Sequence, residues 1–253
     1  MKWETLLLML GLGLGYSVPA RAQRGAPDMS VSRPPPPSEE TENEEEPRPI
    51  GDRKFVLGLR LGYALPMGAT AENDDGSSNN MSDAVAGHFP IWLDVGYMVS
   101  RDFLLGFYGH YAFGGVAGPL KAECDAASSA GVSCSASDVR FGVQFQYHPT
   151  HEGKIDPWLG VGVGYEWLTL DISGAGIDGS TTVKGFELFN LQTGVDFKAA
   201  PNLGIGPFVS FSLGQYDSTS NSGSIARVNP GGDIANPALH EWLTFGVRAA
   251  YRL

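Results

Sequence analysis

At 253 residues, with 42% hydrophobic and only 18% charged side chains, the chain has room for one or two domains and is low in charge without being apolar throughout. Its formal net charge of -11 excludes a nucleic-acid partner, because neutralising phosphates needs a basic surface. Thirty-four glycines beside 11% aromatics suit closely packed strands with aromatic anchoring and are unnatural for an all-helical protein.

Residues 1–22 read as a secretory signal peptide. Lys2 gives a positive start, Leu6 to Leu14 an apolar run too short to span a bilayer, and Ala20-Arg21-Ala22 a small-x-small cleavage site before Gln23; Glu4 is unusual in such a leader. No cysteine stands near the cleavage point, which excludes the lipoprotein route. No later stretch reaches the roughly 18 consecutive apolar residues of a transmembrane helix, so an exported product is either soluble or a membrane barrel. Residues 23–52 hold Pro34-Pro35-Pro36-Pro37 and six glutamates between Glu39 and Glu46. Stacked prolines extend the chain, like charges repel, and almost nothing apolar can be buried, so a disordered linker is expected. A sharper reading makes it a periplasmic arm that contacts another envelope component.

From residue 53 the pattern alternates with period two, which places successive side chains on opposite faces of a sheet. The first run sets Phe55, Leu57, Leu59, Leu61, Tyr63 and Leu65 against Lys54, Val56, Gly58, Arg60 and Gly62. Seven more follow: Ile91 to Val99 with Trp92 and Asp94 opposite; Phe103 to Phe113 with Tyr108 and His110; Val139 to Tyr147 with Arg140; Leu159 to Trp167 with Gly160, Gly162, Gly164 and Glu166; Phe189 to Phe197 with Asp196; Leu203 to Leu213 with Phe208; and Leu243 to Leu253 with Arg248 and Arg252. The run beginning at Phe189 has the weakest pattern. The links alternate: Arg101-Asp102, Pro149 to Ile155 and Pro201-Asn202 are short, whereas Met67 to Gly87, Val116 to Ser137, Ile172 to Lys184 and Asp217 to Leu239 are long, small and polar.

Short links on one side and long ones on the other predict an all-β fold: an eight-stranded antiparallel up-and-down transmembrane barrel over residues 53–253, in the outer membrane of a Gram-negative-type envelope. With eight strands, both ends of the barrel fall on the short-turn side, which puts the N-terminal arm in the periplasm and the four long loops at the cell surface. A soluble lipocalin-like barrel is the structural alternative. It would need an apolar interior and a charged exterior, whereas the less apolar face here is dominated by glycine with charges of both signs. Aromatics near strand ends, among them Tyr97, Phe103, Tyr147 and Trp167, suit interfacial girdles.

The chain resembles the small outer-membrane barrels of the OmpA-like and OmpW-like kind over residues 53–253, most specifically in the terminal strand Trp242-Leu243-Thr244-Phe245-Gly246-Val247-Arg248-Ala249-Ala250-Tyr251-Arg252-Leu253. The resemblance implies that Phe245, Tyr251 and Leu253 form the insertion signal read by the outer-membrane barrel assembly machinery; Leu253 replaces the usual Phe. The peptidoglycan-binding domain that follows many such barrels is missing, so cell-wall attachment is not expected.

Cys124 and Cys134 share the second long loop of an exported chain and are expected to form a disulfide, since an oxidising envelope permits it. Two cysteines without a histidine pair fall short of a metal site, and no cofactor is expected. On the inward face Arg60, Arg140, Arg248 and Arg252 meet Asp94, Glu166 and Asp196, which predicts a charge network plugging a lumen only wide enough for side chains. The glycine column Gly160, Gly162 and Gly164 leaves room either for packing of Trp92, Tyr108, Trp158 and Phe208 or for a small apolar ligand. Catalysis is not expected: His88, His110, His240, Ser210 and Glu241 share no unifying spacing, with His88 and His240 read as rim residues and His110 as a lumen hydrogen-bonder. Glu72, Asp74 and Asp75 in the first loop read as solvated charge, with a divalent cation bridging lipopolysaccharide as the sharper alternative. Two roles stay open: a structural or surface-interaction barrel bounded by outer-membrane lipids and lipopolysaccharide and presenting its loops to a surface partner, or an OmpW-like conduit for small apolar molecules. A lipid A-modifying enzyme ranks below both.

Overall fold

The computed structural model describes residues 54–253 except Asp74, His151 and Glu152. The predicted signal peptide (1–22), linker (23–52) and Arg53 lie outside the described residues. Among the described residues ten strands run in chain order: β1 Phe55–Glu72, β2 Ser78–Asn80, β3 Val85–Met98, β4 Phe103–Val116, β5 Ser133–Tyr147, β6 Ile155–Gly174, β7 Ile177–Ala200, β8 Leu203–Ser222, β9 Gly231–Asp233 and β10 Leu239–Arg252. Eight long strands pair antiparallel in the order β10-β1-β3-β4-β5-β6-β7-β8, and β10 pairs back onto β8 from Leu239↔Gln215 to Tyr251↔Leu203, closing the ring. The short β2 and β9 extend β1 and β8 outside it. Phe55 and Leu253 meet at the short-turn end, where the Leu253 amide donates to the Phe55 carbonyl at 2.8 Å.

Alternation in the sequence becomes a two-faced wall. Phe107 is 67% exposed, Leu93 59% and Phe55 56%, while Arg60 is fully enclosed and Arg140 is 2% exposed. Such a surface is inverted relative to a soluble barrel, whose greasy side chains would fill the inside. Its apolar band is bordered by aromatic contacts at two levels. Near the short turns Phe55 packs on Tyr97 and Phe103 on Phe145 and Tyr147, with ring centroids 5.1–5.2 Å apart. Toward the loops Tyr63 packs on Phe89 at 5.1 Å, and Trp167 lies 5.0 Å from Phe141 and 4.8 Å from Tyr165. These are the girdles expected of a strand-crossed bilayer.

The long connections are more ordered than the sequence suggests. Residues 172–184, expected to be a polar loop, continue β6 and β7 as a hairpin closed by Ala175 (φ 52°) and Gly176 (φ 77°). Positive φ at both central positions gives the turn whose twist matches its flanking strands, so pairing continues past the apolar band. Likewise β5 starts at Ser133 and β8 runs to Ser222. Within the second loop, α1 (Gly118–Ala127) is tied to β5 by the Cys124–Cys134 disulfide, with Cα atoms 6.1 Å apart. The first loop contributes Met81, which is fully buried against Ala64, Val85, Ala136, Leu168, Tyr216 and Trp242, an apolar layer across the loop end of the lumen.

A β-bulge in β7 changes the face of one key residue. Glu187 pairs with Gly214 and Phe189 with Leu213, so Leu188 is the extra residue and both Leu188 and Phe189 point outward. That shift turns Glu187 into the lumen, against the simple odd-even parity set by Phe189.

The wall orientation has a measurable consequence. Phe107→Arg should lower folding stability in vesicles by about 2–4 kcal/mol, the depth-dependent penalty of a guanidinium in the apolar band. Ser133→Arg, beyond the band, should change it by less than about 0.5 kcal/mol; urea titration of refolded protein reads both.

Candidate functional site

The lumen contains two stacked polar clusters. Nearer the short turns, the Arg60 guanidinium donates to Asp94 through Nε (2.7 Å) and Nη2 (2.9 Å), and reaches the amide oxygens of Gln192 (2.7 Å) and Gln144 (3.1 Å). Its planar face lies over Trp92 at 4.7 Å, Trp158 at 5.3 Å and Phe208 at 5.5 Å, so aromatic rings cover the charge that the carboxylate does not. Arg248 donates to Gln146 at 3.0 Å, sits 3.5 Å from Asp196 and packs over Trp158 at 4.3 Å. Arg252, expected in the inner network, lies at the rim and pairs with Asp156 at 2.6 Å; His148 approaches the same carboxylate at 3.0 Å.

Nearer the loops, one guanidinium faces three carboxylates. Arg140 lies 2.7 Å from Asp138, 3.5 Å from Glu166 and 3.7 Å from Glu187, all at 2% side-chain exposure or less. Neutral donors supply the balance. The Tyr216 hydroxyl and Trp242 Nε1 (3.0 Å) donate to Glu166, His240 Nε2 stands 3.2 Å from it, and Glu187 accepts from the Tyr108 hydroxyl and from Asn190 at 2.7 Å. Glu166 and Glu187 are each held by several such bonds, whereas Asp138 rests on its ion pair with Arg140.

Several members of the lumen clusters and the rim escaped the sequence reading. Asp138, Asp156 and Tyr216 carry the inward parity of Arg140, Trp158 and Ser212, so extending the alternation by a few residues would have found them. Glu187 had no such signal, because the bulge reverses its parity. His88 and His240, expected at the rim, are instead buried: His88 stacks on Trp242 at 5.3 Å and His240 on Tyr216 at 3.9 Å. His110 stacks on Trp92 at 5.1 Å, with Nδ1 4.0 Å from Asp138. Ser210 donates to Asn190 at 2.9 Å, and Glu241 lies partly exposed outside the cluster. The serine, histidines and carboxylate therefore do not converge as nucleophile, base and orienting acid.

The glycine column is filled by protein. A Cβ on Gly162 would stand 3.3 Å from Tyr108 Cε1, and one on Gly142 or Gly164 would meet the Tyr108 hydroxyl at 2.5 Å. Gly160 leaves its space to Gln146 at 3.1 Å. A groove of about 330 Å³ near this column opens on the outer wall, lined by Leu105, Val143, Phe145, Val161, Val163 and Phe189. In the first loop, Asp75 accepts from the Ser77 amide (2.9 Å) and hydroxyl (2.6 Å), which hold its carboxyl below the usual carboxylate range. Asp74 lies outside the described residues.

Because the Arg140 guanidinium faces three buried acids, Arg140→Met should destabilise the barrel by about 3–5 kcal/mol. Adding Glu166→Gln and Glu187→Gln should recover part of that loss; both are read as urea midpoints of the folded, heat-modifiable form.

No protein-family model and no curated protein sequence matches the chain. Among solved structures, it is similar to neisserial surface protein A, at 16% identity over 77% of this chain and 95% of that one, with a TM-score of 0.42. It is similar to the outer-membrane protein OprG of Pseudomonas aeruginosa at 15% identity, over 81% and 98% of the two chains, with a TM-score of 0.46. The attachment invasion locus protein Ail of Yersinia pestis matches at 11% identity, over 79% and 99%, with a TM-score of 0.38. The structures it resembles are small outer-membrane β-barrels.

Proposed function

We propose that this protein is a structural and surface-presenting barrel of the outer membrane with a sealed lumen. The short-turn end, holding Lys54 and Leu253, faces the periplasm; the long hairpins and α1 face outward, among lipopolysaccharide. The observation that carries this reading is the lumen itself, in which two ion-paired clusters and the Met81 layer occupy successive levels. Opening a path would separate Arg60 from Asp94 and Arg140 from its acids in a low-dielectric interior, a change that no small substrate offsets by binding. What projects beyond the membrane is built to hold its shape: paired strands, hydroxyl contacts such as Thr169–Thr182 at 3.0 Å and Ser180–Ser222 at 2.7 Å, and the Cys124–Cys134 bridge. The outward-facing Phe245, Tyr251 and Leu253 on the last strand suit recognition by the barrel assembly machinery.

A conduit for small apolar molecules is the competing role, and the Tyr108 packing across the glycine column weighs against it. Flux separates the two. Full-length protein inserted into vesicles should pass neither ions nor a small apolar dye above the leak of empty vesicles; dye flux that Tyr108→Ala increases would instead make the lumen a conduit. For the surface role, Cys124→Ser with Cys134→Ser should expose the second loop to protease while the barrel stays folded, a loss of up to about 3 kcal/mol of loop constraint in the entropic model. An unchanged cleavage pattern would show that the bridge does not hold that loop.

A further inference from the structure

The exposed charges of the barrel are segregated by end. Around the short-turn rim stand four exposed cations, Lys54, Arg101, Lys154 and Lys198, against one half-buried carboxylate side chain among the described residues, Asp102. The loop end has the opposite balance among the described residues, with nine exposed acids, Glu72, Asp83, Glu123, Asp171, Asp217 and Asp233 among them, against exposed Lys121 and Arg227 and half-buried Lys184. Of the described acids near this rim, Asp156 and Asp196 turn inward and are held by Arg252 and Arg248.

The rim cations also sit at a defined height. Lys54 directly precedes the lipid-facing Phe55, with its Nζ 5.9 Å from the Tyr97 ring centroid. Lys154 precedes Ile155 and Lys198 follows Phe197, both about half exposed, and the two lysines are neighbours through the Lys198 amide, which donates to the Lys154 carbonyl at 3.0 Å. Arg101 occupies the turn between β3 and β4, two residues before Phe103. Each cation therefore stands one or two residues beyond the last apolar side chain of its strand. At that level a long side chain runs along the wall and places its charge among lipid headgroups.

We infer that this rim is a binding girdle for anionic phospholipid headgroups of the leaflet at the short-turn end. The inference rests on the membrane-barrel reading above and adds the lipid class. A lipid phosphate fits better than an acidic protein, because the cations follow the last lipid-facing side chains of strands spread around the ring instead of gathering on one flat face. Each cation near an anionic surface raises association by about fivefold, an effect that salt screens.

The test uses the full chain in vesicles of equimolar phosphatidylcholine and phosphatidylglycerol, with spin-labelled forms of each lipid reporting their association with the barrel wall. The wild type should enrich phosphatidylglycerol several-fold. High salt, or the combination Lys54→Gln, Arg101→Gln, Lys154→Gln and Lys198→Gln, should abolish that preference, whereas Lys121→Gln, Lys184→Gln and Arg227→Gln should leave it intact. Equal association of both lipids with an inserted, heat-modifiable wild type overturns the girdle and leaves the membrane barrel standing, as does a preference that moves only with the loop-end variants. A protein that never inserts overturns both. Should the fourfold variant fail to assemble, the salt dependence of the wild type decides. Capture of an acidic protein by the rim, without lipid preference, also overturns it.

Discussion

Hydrocarbon offers no hydrogen-bond partner to a peptide group, and from that constraint the architecture follows. Strands that cross it must satisfy every amide against a neighbour, so the sheet has to close; pairing of β10 with both β1 and β8 removes the two edges that an open sheet would expose. Closure at eight strands in turn fixes the size of the interior. It is wide enough for one layer of side chains from each wall and little else. The alternating sequence then has only one arrangement open to it, with Phe, Leu and Val toward lipid and Gly, Gln, Arg and acids toward the axis.

A narrow polar interior brings its own requirement. Charges removed from water must find partners, and the two clusters meet that need differently. Around Arg60 the match is nearly one to one, completed by glutamine amides and aromatic faces. Around Arg140 the acids are in excess, and tyrosine, tryptophan and asparagine donors make up the deficit. Glycine controls how closely these layers pack: a Cβ on Gly142 or Gly164 would collide with the Tyr108 hydroxyl and one on Gly162 would press on the Val143 carbonyl and the Tyr108 ring, so the tyrosine can cross the lumen and reach Glu187. The apolar layer around Met81 and Trp242 then caps this polar column on the loop side.

Much of this was legible in the sequence because a two-residue period leaves a strong mark when one face meets lipid. The eight runs, the alternation of short and long links, and the inward placement of Arg60, Asp94, Arg140, Glu166, Asp196 and Arg248 can all be read from parity. Parity fails where the backbone slips. The bulge at Leu188 moved Glu187 from the outer to the inner set, and no residue type announces it. The hairpin extensions were hidden for another reason: beyond the membrane both faces meet water, so Ser and Thr strands lose the apolar contrast that marks a strand and read as loop. Histidines 88 and 240 were misplaced because the strands continue past the point where that contrast ends, which carries the lumen wall with them.

The central claim is that the greasy face of the barrel meets lipid and the charged face does not. Tryptophan fluorescence tests this directly, since Trp167 lies on the outer wall among Phe141 and Tyr165, whereas Trp92, Trp158 and Trp242 are 1–2% exposed inside. Quenching by brominated lipid should be strong in the wild type and should largely vanish in Trp167→Phe. If brominated lipid quenches both proteins equally, or if neither is quenched and Trp167 responds only to an aqueous quencher, the outer wall does not face a bilayer and the account is wrong.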